Sequence, residues 1–299
     1  MFLLAYNKPL RLKESIILIQ KKLFHFFISL LSKLRLRYVH AIGKYIGRFY
    51  FFCSKKNYKL LKDNFKNSGI LKKSHLDKEI KNSIDEHGKN IIETFFIWGS
   101  SQNFLLSLVK NIKGNNCLKK AEKRGKGIIF LTPHLGCFEI TSIFYGALKP
   151  ITVIYREARK SWMSEIMISG RKKGYVDLAP TNIKGLKKVL SALKKGEAVG
   201  ILPDQVADKG QGELADFFGK PAYTMVLVNK LINKTDASII MAYGERLSNG
   251  EGFNIHIEEI EKKNISSPSD LNKQIEKVIK KNPTQYFWSY DRYKKVKKG

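Results

Sequence analysis

The chain has 299 residues, 43% hydrophobic and 27% charged, which excludes a disordered polypeptide and supplies one large domain or a domain with a helical annex. Its 55 Lys and Arg against 26 Asp and Glu give a formal charge of +29, a field that draws in nucleic acid, acidic proteins or anionic lipid headgroups. Three cysteines without paired spacing (Cys53, Cys117, Cys137) exclude a disulfide framework and a structural zinc site, and fit a reducing cytoplasmic setting.

The positive charge is front-loaded: residues 1–81 hold 19 Lys and Arg but only four acidic residues. General compositional drift toward Lys, Asn and Ile explains the overall excess better than it explains this asymmetry. In the segment 16–36, Ile16, Ile19, Leu23, Phe27, Leu30 and Leu34 recur at helical spacing, flanked by Lys8, Arg11, Lys13, Lys33, Arg35 and Arg37. Such a stripe suits a helix lying in a membrane interface, with its cations on headgroup phosphates. Lys21 and Lys22 interrupt the run that a spanning helix needs. Packing on the protein's own core is the plain alternative. No small-residue site for signal cleavage follows.

Residues 1–110 read as mostly helical, with a helix from Leu76 to Trp98, and 111–299 as an α/β domain, the two forming one continuous unit. Five short apolar runs start at Gly127, Ile151, Ala198, Ala237 and Phe253. Helical patterns over Phe138–Leu148, Ser161–Lys173, Ile183–Lys195 and Ala222–Asn233 alternate with them. This alternation predicts a mixed, at least partly parallel sheet flanked by helices, behind an N-terminal membrane-associating helical region.

Unusual polar residues follow three of the runs: His134 after the first, Arg156 after the second, Asp204 and Gln205 after the third. Ligands of open α/β sheets gather at that edge. A neutral imidazole there can take a proton from a hydroxyl, and a carboxylate on its other nitrogen would hold the tautomer. The nearest such carboxylate in sequence is Glu139, which can turn back from the first turn of a helix starting near Gly136. Arg156 or backbone N–H groups could face a developing oxyanion. Simpler readings compete: His134 as an ordinary strand-end histidine, Cys137 as a nucleophile with His134 as its base, or a metal held by His134, Cys137 and Glu139, which lacks a fourth ligand.

The segment from His134 to Glu139 is similar to the H-x4-[D/E] motif of acyltransferases that act on glycerolipids and lipid A. Further blocks follow in order: Tyr155-Arg156, Gly170-Arg171, Ile201-Leu-Pro-Asp-Gln205, Phe217-Phe-Gly219 with Pro221-Ala222, and Asn282-Pro-Thr-Gln-Tyr-Phe-Trp288 with Arg292. Over residues 10–295 the whole resembles the late acyltransferase family of lipid A biosynthesis. Two departures bear on acceptor and chain length. Leu135 to Phe138 is not the bulky spacer of lauroyl transferases, and Tyr290-Asp291 stands where many relatives carry His or Arg.

The resemblance implies a catalytic pair, His134 and Glu139, with Arg156, Arg171, Asp204 and Gln205 binding substrate and no cofactor or metal. It also implies an acyl carrier protein as donor, a lipid A precursor or related glycolipid as acceptor, and the cytoplasmic face of the inner membrane as location. An acceptor of another glycolipid or phospholipid class and an inactive membrane scaffold are the alternatives nearest to it. A nucleic-acid-binding protein is the distant one: zinc, RRM and KH signatures are missing, and charge alone is non-specific.

Overall fold

A computed structural model describes residues 8–70, 73–158 and 160–295; the side chains of residues 8–14 and of Lys73 fall outside the description, and with them the flanking cations Lys8, Arg11 and Lys13. The strands are β1 (Val109–Lys113), β2 (Ile128–Leu131), β3 (Ile151–Tyr155), β4 (Val176–Pro180), β5 (Ala198–Ile201), β6 (Gly212–Phe217), β7 (Lys220–Met225), β8 (Ser238–Arg246) and β9 (Phe253–Ile260). Seven form one sheet in the order β1-β9-β8-β2-β5-β3-β4, parallel from β8 to β4, with β9 antiparallel to β8. The expected mixed, partly parallel sheet is present, and most of its strand pairs are parallel. β2 and β5 are buried along their whole length because helices cover both faces, which explains their unbroken apolar runs. Ile128 and Phe130 belong to the core on one face, Ile129 and Leu131 to the core on the other, as period-two alternation requires.

The helices that frame the site are α7 (Phe138–Gly146), α8 (Ser161–Arg171) and α9 (Ile183–Lys194), close to their predicted spans. The expected helix over Ala222–Asn233 is corrected. Its first residues form β7, paired with β6 in a hairpin whose two-residue turn is Phe218 (φ 48°) and Gly219 (φ 71°). Both turn residues at positive φ give a tight reversal matching strand twist, so the Phe-Phe-Gly block has a backbone role that periodicity does not report. The helix that follows, α10, spans only Leu227–Lys234.

At the N-terminus lie α1 (Lys8–Ser32), α2 (Leu36–Cys53), α3 (Lys55–Asn67) and α4 (Leu76–Gly99), followed by the short α5 (Gln102–Ser107) and α6 (Asn115–Arg124). α2 crosses α4 at backbone distance: a Cβ on Gly88 would sit 2.1 Å from the Gly43 carbonyl oxygen, so no side chain fits there. α1 seats Phe24, Phe27 and Ile28 against Phe95, Trp98, Trp162 and Ile166. Ile16, Ile19, Leu23 and Leu30 of the predicted stripe are exposed instead, together with Phe26. On α2, Ile42, Tyr45, Ile46, Phe49 and Phe52 are exposed as well. The window Ser15–Ser32 is long and apolar enough to cross a membrane.

Candidate active site

The site forms where β2 and β5 end side by side. Leu131 pairs with Ile201, and the Thr132 N–H donates to the Ile201 carbonyl at 2.9 Å. His134 and Asp204 each lie three residues beyond that pair, so register alone carries them to the same edge. The His134 ring Nδ1 lies 2.8 Å from Asp204 Oδ1, and the His134 backbone N–H donates to Oδ2 at 2.9 Å. The Asp204 side chain is 2% exposed and that of His134 16%. Burial pushes the Asp204 carboxyl up, but the charge and hydrogen bonds of His134 outweigh it and hold the group below its ordinary value. An ionised Asp204 only accepts, so Nδ1 carries a proton, and in the neutral form of the ring Nε2 presents a lone pair. That lone pair faces the Gln205 amide nitrogen at 3.2 Å.

Glu139, expected on the imidazole, is elsewhere. It sits in the first turn of α7 with its side chain toward α8, where the Arg171 Nε donates to both carboxylate oxygens at 3.0 Å. The carboxylate is 5% exposed. The arginine also lies over the Trp98 ring, 5.7 Å from its centroid. The His134 ring N–H, expected to donate to Glu139, therefore donates to Asp204 instead. The helix turns its first-turn side chain onto a neighbouring cation, while the β5 loop already occupies the far side of the ring.

His134, Glu139, Arg171, Gln205 and Arg156 all line one cavity of about 290 Å³. Arg156 is at its rim, bonded to the half-exposed Asp208 at 2.5 Å. Inward, the walls become apolar: Phe130, Ile151, Val153, Val176, Leu178 and Met167.

The loop that presents His134 is pinned from every side. Phe287 N–H donates to the His134 carbonyl (3.1 Å), Gly136 N–H to the Gln285 carbonyl (3.0 Å), and Cys137 N–H to the Gly244 carbonyl (2.7 Å). The Asn90 amide donates to the Gly136 carbonyl at 2.7 Å. Gly136 has φ +59° and a Cβ there would meet the Gly244 oxygen at 2.0 Å, so only glycine fits. Asn90, Gln285 and Phe287 escaped the sequence reading of the site. The C-terminal block containing the last two was visible as a motif, but nothing in the chain shows that its backbone clamps a loop 150 residues away.

Cys137 is 2% exposed, and burial pushes its thiol far up. Burial favours its thiol form, and Cys137 does not line the cavity that His134 faces, which argues against it as the nucleophile. Alkylation of the folded protein should modify Cys53, which is exposed, and leave Cys137 untouched until denaturant is added. Peptide mass spectrometry reads the difference, and early labelling of Cys137 would contradict its burial. No cluster of three or more metal-ligating side chains occurs among the described residues.

An imidazole backed by a buried carboxylate, opening onto a polar rim and an apolar cleft, is equipped to activate a hydroxyl beside a long apolar substrate. The chain matches a family model described as bacterial lipid A biosynthesis acyltransferase over residues 11–295. It belongs to that family. A lipid A biosynthesis palmitoleoyltransferase of Escherichia coli (strain K12) is 25% identical over 227 residues, 73% of this chain and 72% of the relative. A lipid A biosynthesis lauroyltransferase of the same organism is 23% identical over 231 residues, 74% of each chain. A lipid A biosynthesis acyltransferase of Haemophilus influenzae is 24% identical over 222 residues, 69% of this chain and 67% of the relative.

Proposed function

We propose that this protein transfers a fatty acyl chain from an acyl carrier protein thioester to a hydroxyl of a lipid A precursor, at the cytoplasmic surface of the inner membrane. The observation that carries this reading is the His134 Nε2 lone pair facing the cavity while Asp204 holds Nδ1. The acceptor hydroxyl displaces the Gln205 amide from Nε2 and gives its proton to the ring. Its oxygen attacks the thioester carbon, the carbonyl becomes an oxyanion, and collapse breaks the C–S bond. The proton on Nε2 then passes to the departing thiolate, so imidazole is restored and no covalent enzyme intermediate forms. Arg171, held in place by Glu139, and the first-turn N–H groups of α7 supply positive potential for the oxyanion. Arg156 at the rim is placed for an acceptor phosphate, which would take it over from Asp208.

Purified protein given an acyl-carrier donor and a tetra-acylated precursor should yield a product heavier by one acyl chain. His134→Ala and Glu139→Ala should each lower turnover by at least about a hundredfold. Activity surviving both substitutions would end this mechanism.

The exposed apolar residues of α1 and α2 support attachment to the bilayer, and the basic segment 1–81 favours an anionic one. The paired substitution Ile46→Asp and Phe49→Asp should cut co-flotation with vesicles containing anionic phospholipid by about tenfold. Turnover of detergent-dispersed acceptor should stay near wild type. Unchanged flotation would show that α2 does not meet the lipid.

A further inference from the structure

The parallel register lays out the cavity floor in transverse rows. Phe130 pairs with Gly200, Gly200 with Val153, and Val153 with Leu178, which makes one row across β2, β5, β3 and β4. Two residues deeper, Ile151 pairs with Val176. Period-two alternation puts both rows on the face that α7 covers, and residues of both line the cavity. From Tyr155 at the mouth to Ile151 is four residues, a depth of about 13 Å at the rise of a parallel strand.

Among the residues of these two rows, Gly200 in the upper one alone has no side chain. A Cβ on Gly200 would stand 3.2 Å from Val153 Cγ2 and 3.6 Å from Ile151 Cδ1, inside the passage between mouth and floor. Glycine weakens a strand, so at the centre of a fully buried one it calls for a reason. The deeper row is a wall. Gly146, at the end of α7, closes against Val176, whose Cγ2 would lie 2.3 Å from a Cβ on that glycine. The hydroxyls on the roof are turned away: Thr141 donates to the Phe138 carbonyl and Ser142 to the Glu139 carbonyl, within their own helix. Past the charged mouth, this space offers a straight chain dispersion contact and little else.

We propose that this channel measures the transferred acyl chain, with Gly200 as its open waist and Ile151 with Val176 as its end stop, a proposal that rests on the acyl-transfer reading above. The thioester carbon sits at His134 and the hydrocarbon tail runs inward over Gly200. A chain that reaches the Ile151–Val176 wall with its carbonyl still at His134 reacts, and a longer one draws its carbonyl away from the base.

The test is a competition assay on the full-length protein, with acyl-carrier donors from eight to eighteen carbons and products resolved by mass. Gly200→Val fills the waist and should move the preferred donor at least two carbons shorter, with at least about tenfold loss on the wild-type optimum. Val176→Ala removes methyl groups from the wall and should move the preference longer. These opposite shifts cannot come from loss of folding, which would lower all donors together. Should Gly200→Val fail to accumulate, Val176→Ala alone decides. An active wild type whose chain preference stays fixed in every soluble variant overturns the channel as a ruler. A wild type that transfers no chain from any donor overturns the acyl-transfer reading itself.

Discussion

Asp204→Asn is expected to lose about three to four orders of magnitude in kcat while folding normally and keeping its KM within a few-fold. The substitution preserves shape and burial but exchanges an obligate acceptor for an amide. Asp204 now accepts from Nδ1 (2.8 Å) and from the His134 backbone N–H (2.9 Å), and both bonds require oxygen lone pairs. With Asn, the oxygen goes to one of these and the NH2 group must face the other. Turned toward the ring, it donates to Nδ1, moves the ring proton to Nε2 and leaves no base in the cavity. The alternative amide orientation points two N–H donors at each other and keeps a neutral group where an imidazolium must form.

The charge also has a pH signature. Because the folded Asp204 carboxyl lies below its ordinary value, its ionised contacts stabilise the fold above the unfolded value and fade as pH falls through the folded one. Asp204→Asn should therefore be less acid-sensitive than wild type, even as it is far less active. Single-turnover rates across neutral pH check the first effect, and acid unfolding followed by circular dichroism checks the second. An asparagine variant within tenfold of wild-type turnover would mean that His134 does not depend on Asp204.

The sequence made the architecture legible because β2, β3, β5 and β8 are buried on both faces and therefore announce themselves as apolar runs. It also singled out His134, Arg156 and Asp204, since each interrupts apolar sequence just past a strand. What it could not supply was strand order. Glu139 is five residues from His134 and Asp204 seventy, so sequence proximity favoured the wrong hydrogen-bond partner; only the pairing of Leu131 with Ile201 makes Asp204 the nearer carboxylate. β1 and β4, the two edge strands, stayed hidden because β1 carries three exposed polar residues, Lys110, Asn111 and Lys113, while the short apolar pattern of β4 is broken by Asp177 and ends in proline. The β6–β7 hairpin was hidden for another reason. Lys220–Met225 mixes polar and apolar residues in a way that a helix face tolerates equally well. Least legible of all was a buried ion network whose bonded partners are up to 160 residues apart.

That network carries the other large effect: Arg246→Met should destabilise the fold by about 3–5 kcal/mol, with the midpoint of thermal unfolding lowered by on the order of 10 °C. Arg246 ends β8 and is 3% exposed. Its guanidinium donates to Glu93 from Nε (2.8 Å) and Nη2 (2.7 Å) and to Glu86 from Nη1 (2.7 Å). His40 Nε2 of α2 lies 2.7 Å from Glu93 Oε2, the oxygen that also accepts from the Arg246 Nε. Burial pushes the Glu93 carboxyl up, yet the arginine dominates and brings it down to about 2. Methionine fills the volume but strands Glu93, which is 1% exposed and must then stay charged without its cation or take up a proton.

Adding Glu93→Gln removes that stranded charge, so the double variant should recover part of the loss and the two effects should not sum. In wild type, the stabilisation from Glu93 is present above about pH 4.5, the ordinary carboxyl value, and is lost as pH falls toward about 2. The single variant should lack that acid transition. The cost also reaches the active site, because Asn90, one turn before Glu93 on α4, holds the Gly136 carbonyl, and Gln285 bonds both the Arg246 backbone N–H (2.9 Å) and its carbonyl (2.8 Å). These two of the anchors of the His134 loop are thus tied to the element that Arg246 locks. Well below its unfolding temperature, Arg246→Met should show reduced kcat on top of its lowered midpoint. A variant with a normal midpoint and normal turnover would refute the claim that this buried pair fixes the helical layer to the sheet.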